Sequence, residues 1–285
     1  MRAQLTAAHN LNPSDFEIVA LRTTGDRVLD RPLADAGGKG LFTKEIDEAL
    51  LSGKVDMAVH SAKDVPTFLA EGLVLAAYPP RDDPGDVLVS EGAATLETLP
   101  QGAIVGTSSI RRQALVKRVR PDLTIKLMRG NVETRLDKIA RGEFDAAVLA
   151  FAGLMRLGHE RRTHIKLDPA IFPPAVGQGA IAIEIRANDE RMTRFVAAID
   201  HRPTNIALVA ERAFLAALDG SCRAPIAGHA RIVDERVYFY GLVIAPDGTG
   251  AVETTREGPI SDAAELGTDA GKELRIRAPA GVLNT

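Results

Sequence analysis

From residue 16 to about residue 180, short apolar runs alternate with stretches whose apolar positions recur every three or four residues. FEIVALR (16–22) reads as a strand, TKEIDEALLSG (43–53) as a helix with Ile46, Ala49 and Leu50 on one face, and VDMAVHS (55–61) as a strand again. The next cycle gives AIVG (103–106), SSIRRQALVKRV (108–119), LTIKLMR (123–129), VETRLDKIARG (132–142) and FDAAVLA (144–150). Such alternation predicts a parallel sheet covered on both faces. GKVDMAV (53–59) lines up with GEFDAAV (142–148), each following a helix and entering a strand. One helix–Gly–strand unit used twice predicts two α/β domains of similar build.

Breakers divide the chain. YPPRDDPGD (78–86) and FPPAVGQG (172–179) are natural crossings between the two domains, and paired crossings would form a hinge. Residues 178–185 would then return to the first domain. The expected boundaries are 1–79 with 180–198 for domain 1, 85–173 for domain 2 and 203–285 for domain 3. In the last of these, a helix (205–218) precedes three strand-like runs, IAGHARIV, VYFYGLVIA and GAVETTRE, and a final helix begins near Ser261. Turns at Asp234 and Glu235, and at Pro246 to Gly248, predict an antiparallel meander.

Composition narrows the class. The 285 residues are 45% apolar and 26% charged, as in an ordinary globular protein. Lys and Arg number 35 against 38 Asp and Glu, a net charge of -3, so any polyanion site is a local patch and no nucleic-acid partner is expected. A single cysteine, Cys222, cannot close an internal disulfide and suits a reducing compartment. The opening MRAQLTAAHN lacks the apolar core of a signal peptide, and the apolar run 146–155 is too short to cross a bilayer. A cytoplasmic protein without a membrane partner is expected.

The candidate chemistry sits at strand ends. GTSSIRRQ (106–113) opens a helix with Ser108 or Ser109 as N-cap. Arg111 and Arg112 in its first turn oppose the helix dipole, which an anion bound there would offset. Two solvated arginines are the other reading, since each costs only about a few tenths of a kcal/mol when exposed. Lys117, Arg118 and Arg120 further along read as a wet face. Arg129 and Asn131 stand before the next helix, Arg135 lies in its first turn, and Arg156 follows the apolar run ending at Met155. Arginines gathered at carboxyl ends of strands imply a ligand with many carboxylates or phosphates. In HSAKDVP (60–66), Lys63 is a candidate point charge and Asp64 a candidate acid/base or cation stabiliser, though adjacent Lys and Asp also read as ordinary surface charge. GGKGLF (37–42) could cradle an anion or act as a lid, and matches no nucleotide-binding pattern. No spacing suggests a metal site. In DGSCRAP (219–225), Cys222 is displayed on a loop, either as packing filler or as a point of attachment.

GGKGLFTKEI, HSAKDVP, GTSSIRRQ, RGNVETRL, PAVGQGA and the Gly-Ser-Cys loop stand in this order over almost the whole chain. Together they resemble the hydroxymethylbilane synthase (porphobilinogen deaminase) family. The fold this implies is two similar periplasmic-binding-protein-like α/β domains joined by a hinge, plus a small α+β C-terminal domain with a three-stranded antiparallel sheet. The implied activity is that of a deaminating transferase of porphyrin and heme biosynthesis. It adds four porphobilinogen molecules, with loss of ammonia each time, to a dipyrromethane cofactor, then releases the linear tetrapyrrole hydroxymethylbilane. The resemblance places that cofactor on Cys222 through a thioether, with Lys63, Asp64, Arg111, Arg112, Ser109, Arg129 and Asn131 as its binding residues. Arg129, Arg135, Arg156, Ser61 and Thr107 match substrate-binding positions, and Lys39 lies in the family's mobile loop. Each pyrrole carries an acetate and a propionate, so the basic residues match a polyanionic chain. Asp64 matches the catalytic aspartate, whose carboxylate would stabilise the azafulvenium-like cation left by ammonia. No metal is implied, and a monomer is expected.

The family opens with a strand of the type Arg-Ile-Gly-Thr-Arg and then a helix containing a glutamine. MRAQLTAAHN resembles the later part of that helix. The expectation is therefore a chain without that strand and its carboxylate-binding arginine, with a weakened first domain and poor activity. Two alternatives accompany this reading: a clamshell binding protein for a polycarboxylate, and a synthase that folds but never acquires its primer.

Overall fold

A computed structural model describes residues 1–27, 43–159, 164–219 and 224–283. The first domain contains α1 (Arg2–His9), α2 (Thr24–Arg27), α3 (Lys44–Leu51), β1 (Met57–Ser61) and β2 (Leu73–Ala77). Residues 16–22, expected as a strand, pair with none among the described residues, and Ile18 is 70% exposed. Strand composition reports a fit to a half-buried pleated surface, and without a neighbouring ladder the apolar pattern alone forms nothing.

The chain crosses through residues 78–86 into the second domain. There it forms β3 (Asp86–Ser90), β4 (Ile104–Thr107), α4 (Ile110–Val119), β5 (Thr124–Leu127), α5 (Val132–Ala140), β6 (Ala146–Ala150), α6 (Phe151–Arg156) and β7 (His164–Lys166). The strand order is β5-β4-β6-β3-β7. It then returns to insert β8 (Ile181–Arg186) between β1 and β2, followed by α7 (Glu190–Ala197). The expectation of a parallel sheet holds only for β5, β4 and β6. β3 runs antiparallel to β6 and β7, and β8 antiparallel to β1 and β2. The reason is topological: β3 and β8 each begin just after a crossing and enter their sheets from the far end.

The two helix–Gly–strand units end their helices with the same backbone bonds. Gly53 and Gly142 take φ of 72° and 71°, a region where glycine carries no steric cost. Their amides bond to Leu50 and Ile139, while Lys54 and Glu143 bond back to Ala49 and Lys138 at 2.9 and 3.0 Å. These are paired Schellman endings, and each aims the chain into the strand that follows.

The third domain comprises α8 (Arg202–Ala217), the meander β9 (Ile226–Val233), β10 (Arg236–Ile244) and β11 (Ala251–Pro259), and α9 (Ala263–Arg277). Asp234 and Glu235 both take positive φ, the geometry that a two-residue hairpin turn requires. This domain is fused to the second, because Ala227, Leu242 and Ile244 share one core with Leu115 and Val116 of α4. It meets the first domain through Leu208, packed with Ala62, Val65, Tyr78, Ala180 and Ala182. No helix among the described residues is long and apolar enough to cross a membrane.

Glu211 of α8, fully buried, holds both crossings. Its carboxylate accepts from Arg81 Nη1 at 2.6 Å, from Gly177 N at 2.7 Å and from Ala230 N at 2.9 Å. Removing one partner of such a pair leaves an uncompensated buried charge. Glu211→Ala is therefore expected to cost about 3–5 kcal/mol in urea denaturation. A loss below roughly 1 kcal/mol would mean that the apolar contacts, not this carboxylate, hold the crossings.

Candidate active site

The turn after β1 carries Ser61, Lys63 and Asp64. A single 3₁₀ turn (Ala62–Asp64) turns the chain back, and Ala62 N bonds to Ala180 O at 3.0 Å, fixing the turn to the second crossing. Asp64 is exposed and Lys63 half-buried. Burial, and then the Arg112 charge, lower the Lys63 ammonium to a pKa of about 8 against the pull of Asp64 and Asp86.

Across from this turn lies the N-terminus of α4. Thr107, the buried last residue of β4, accepts from Ser109 N at 3.1 Å, and Ser109 caps the helix by accepting from Arg112 N. Arg111 and Arg112 are not solvated. Arg111 donates to Asp86 Oδ2 at 2.7 Å and to Pro173 O at 2.6 Å. Arg112 donates to Asp86 Oδ1 at 2.8 Å, to Gln178 Oε1 and to Val148 O. Asp86 is 1% exposed. Burial works against its charge, but the two guanidiniums outweigh burial and hold its carboxyl well below the usual range. One carboxylate between two guanidiniums leaves one positive charge in excess. Arg111 Nε is buried with no hydrogen-bond partner.

The next strand end adds Arg129, Asn131 and Arg135. Asn131 caps α5, accepting from Thr134 N at 2.8 Å. Arg135 donates to Gly130 O at 2.9 Å and lies within electrostatic reach of Arg112, Arg129 and Asp64. Burial first, then Arg112, lower its pKa to about 10. Arg129, half-buried, is also lowered by burial. The structure thus brings Lys63, Asp64, Arg111, Arg112, Arg129 and Arg135 together. Arg156 lies elsewhere in its bonding: it donates to Asp82 Oδ2 and to Gly179 O, both at 2.8 Å, and so ties the two crossings together. Lys39 and Cys222 lie outside the described residues.

Asp86, Gln178, Arg81 and Glu211, which bond to the site arginines or to the crossings, were not legible in the sequence. Asp86 and Gln178 stand inside the segments read as breakers, and the one available signal was an acid opening the apolar run DVLVS. Among the described residues no cluster of His, Cys, Asp and Glu could hold a metal.

Four arginines at strand ends of one α/β lobe and Lys63 at a strand end of the other, around one exposed carboxylate, suit an anionic ligand. Residues 1–194 match the family described as porphobilinogen deaminase, dipyromethane cofactor binding domain, and residues 206–275 match its C-terminal domain. The porphobilinogen deaminases of Nitrobacter hamburgensis and Nitrobacter winogradskyi are each 57% identical over 278 residues, covering 98% of this chain and 88% of theirs. The chain belongs to the porphobilinogen deaminase family. Among solved structures, the periplasmic VFT2 domain of Bordetella pertussis BvgS aligns with 69% of this chain and 73% of its own at 18% identity and a TM-score of 0.40, a likeness too slight to carry weight. The family's dipyrromethane cofactor carries carboxylates, and the residues present fit it: surplus positive charge, with a buried Arg111 Nε–H that has no partner.

The lysine sets a pH limit. Lys63 is cationic below about pH 8 and loses its charge as pH rises through that value, so an anion held by it would be held less tightly on the alkaline side. The kcat/KM for porphobilinogen is expected to fall above about pH 8, and Lys63→Arg, which stays charged, removes that limb. An unmoved limb in the variant assigns it to another group.

Proposed function

We propose that this chain is a hydroxymethylbilane synthase whose catalytic carboxylate is Asp64 and whose primer is carried by Cys222. Family membership supplies the reaction: porphobilinogen units joined with loss of ammonia into hydroxymethylbilane. The observation that carries the residue assignment is the placement of Asp64, exposed at the tip of its turn and within reach of Arg135, beside half-buried Lys63. The domain limits of the reading are 1–79 with 180–198, 85–173 and 203–285.

In this reading Lys63, Arg111, Arg112, Arg129 and Arg135 bind the acetate and propionate groups of the pyrroles. Ser61, Thr107, Ser109 and Asn131 supply hydrogen bonds at the same strand ends. Arg156 acts from the crossings, where it braces Asp82 and Gly179. The dipyrromethane group, when bound, supplies the nucleophilic pyrrole carbon on which the chain grows. Loss of ammonia leaves a positive charge on the incoming pyrrole unit. The Asp64 carboxylate stabilises that charge, and one of its oxygens accepts the proton displaced from the ring carbon as the new bond forms. The surrounding cations orient the ring carboxylates so that the two carbons meet. The small-molecule substrate is porphobilinogen. The chain is read as a cytoplasmic monomer without nucleic-acid or membrane partners, a reading supported by its net charge of -3 and single cysteine.

Intact mass of the denatured chain tests the primer: an addition equal to two linked pyrrole units, absent in Cys222→Ala, is the expected result. An addition that persists in Cys222→Ala would move the attachment elsewhere. Asp64→Asn is expected to lower kcat about 10²–10³-fold, or roughly 3–4 kcal/mol of barrier, with KM nearly unchanged. A variant retaining a tenth of wild-type kcat would remove Asp64 from the catalytic role.

A further inference from the structure

The cations of the two lobes are joined to each other by two residues that the chemistry above leaves without a role, Asp86 and Gln178. Asp86 opens β3 at the end of the first crossing, and its carboxylate spans Arg111 and Arg112. Gln178 lies in the second crossing. Its amide Nε2 donates to Asp86 Oδ1 at 2.8 Å and to Pro84 O at 2.6 Å, and its Oε1 accepts from Arg112 Nη2 at 3.2 Å. The neighbouring backbone does the complementary job on the other lobe. Gly177 packs so closely on the Lys63 turn that a Cβ there would sit 2.9 Å from Lys63 N and from Ala62 C. Ala180 O holds Ala62 N at 3.0 Å. Within four residues the second crossing therefore grips the Lys63 and Asp64 turn by its backbone and the arginine pair by a side chain. Gln178 is 1% exposed and bonds at both ends of its amide, so it has one orientation.

We propose that Asp86 and Gln178 are a positioning pair: Asp86 aligns the two guanidiniums of α4, and Gln178 locks them to the crossing that carries the Lys63 turn, so that both lobes present their cations to an anionic ligand in one register. Asp86 acts through the arginines and Gln178 through Asp86. The same carboxylate acts on Lys63. The charged groups facing Lys63 are Asp64 on its own turn, Asp86 on β3, and Arg111 and Arg112 on α4. Asp86 is the element that offsets the arginines there, so its removal leaves Lys63 facing both guanidiniums with Asp64 alone opposing them.

The proposal rests on the reading of this cleft as the porphobilinogen site, and its test has one arm that does not. In the unprimed Cys222→Ala chain, lysines are converted to their ¹³C-dimethyl form and the Lys63 resonance, assigned by its loss in Lys63→Arg, is titrated by NMR. Asp86→Asn is expected to lower the Lys63 pKa by roughly half a unit or more, from about 8. Asp86→Glu restores it, and Gln178→Met leaves it in place. In the primed enzyme, Asp86→Asn and Gln178→Met are expected to raise KM for porphobilinogen about tenfold with kcat changed less than about twofold. Folded variants, judged by near-UV circular dichroism, that keep the wild-type Lys63 titration and the wild-type KM overturn the proposal. So does lowered thermal stability with unchanged kinetics. Should Asp86→Asn fail to fold, Gln178→Met decides the matter by KM alone. A shifted Lys63 titration with unchanged KM overturns the positioning role while leaving the charge coupling intact; the cleft as the porphobilinogen site is rejected separately, by an Asp64→Asn variant that keeps its kcat.

Discussion

A single buried carboxylate, that of Asp86, organises the cationic side of this protein. Removing a carboxylate from water is costly, and an isolated one would take up a proton. Two arginines from the first turn of α4 prevent that, and Gln178 fills a further hydrogen-bonding position on Oδ1. The arginines are equally dependent on Asp86, because both sit at a helix N-terminus where the dipole disfavours them. Each group is tolerable only in the presence of the others. Such mutual dependence sets geometry more firmly than it adds stability, since buried ion pairs often repay little more than their desolvation. The result is a cationic surface of fixed geometry from residues that, taken singly, would each prefer water.

The third domain has a corresponding place in the architecture. Its sheet shares a core with α4, and Glu211 bonds to both crossings through Arg81 and Gly177. The described contacts make the second and third domains one packed body, which meets the first domain mainly through Leu208 and hydrogen bonds near the crossings. Arg212 adds to this by donating to the carbonyls of Pro66 and Thr67, just beyond the Asp64 turn. A displacement of the first domain would therefore bear on residues 78–86 and 172–180, the segments that also hold Asp86 and Gln178.

What could be read from the sequence was local. Alternating periodicity located β1, β4, α4, β5, α5 and β6, and the shared GxxDxAV pattern located two helix endings whose bonds prove to be the same. Residues 16–22 show where this stops, since a strand depends on a partner that its own pattern does not contain. The direction of β3 and β8 was likewise not legible, because it follows from where the crossings enter each sheet. At the site, residue type and position at a strand end were enough to gather Lys63, Asp64, Arg111, Arg112, Arg129 and Arg135. They could not separate Arg156, whose guanidinium is committed to Asp82 and Gly179, or reveal that Arg111 and Arg112 already share an internal carboxylate. Those distinctions depend on side-chain partners more than 20 residues away in the chain.

The charge balance of the cleft separates structural from functional purpose. Around Asp64 and Asp86 stand Lys63, Arg111, Arg112, Arg129 and Arg135, five cations against two carboxylates. Burial is the leading cause that lowers Lys63 to about 8 and Arg135 to about 10, and repulsion from Arg112 adds to it in both. Repulsion among cations at one place is what a site prepared for an anionic ligand would show. Partial burial strengthens each interaction with an anion by excluding water, so cations that repel one another would each attract a carboxylate placed among them. Positive charge is therefore in surplus in this cluster, as the proposed polyanionic ligand requires. Asp64, the one exposed carboxylate in the cluster, is the group that the proposed reaction assigns to the positive charge it creates.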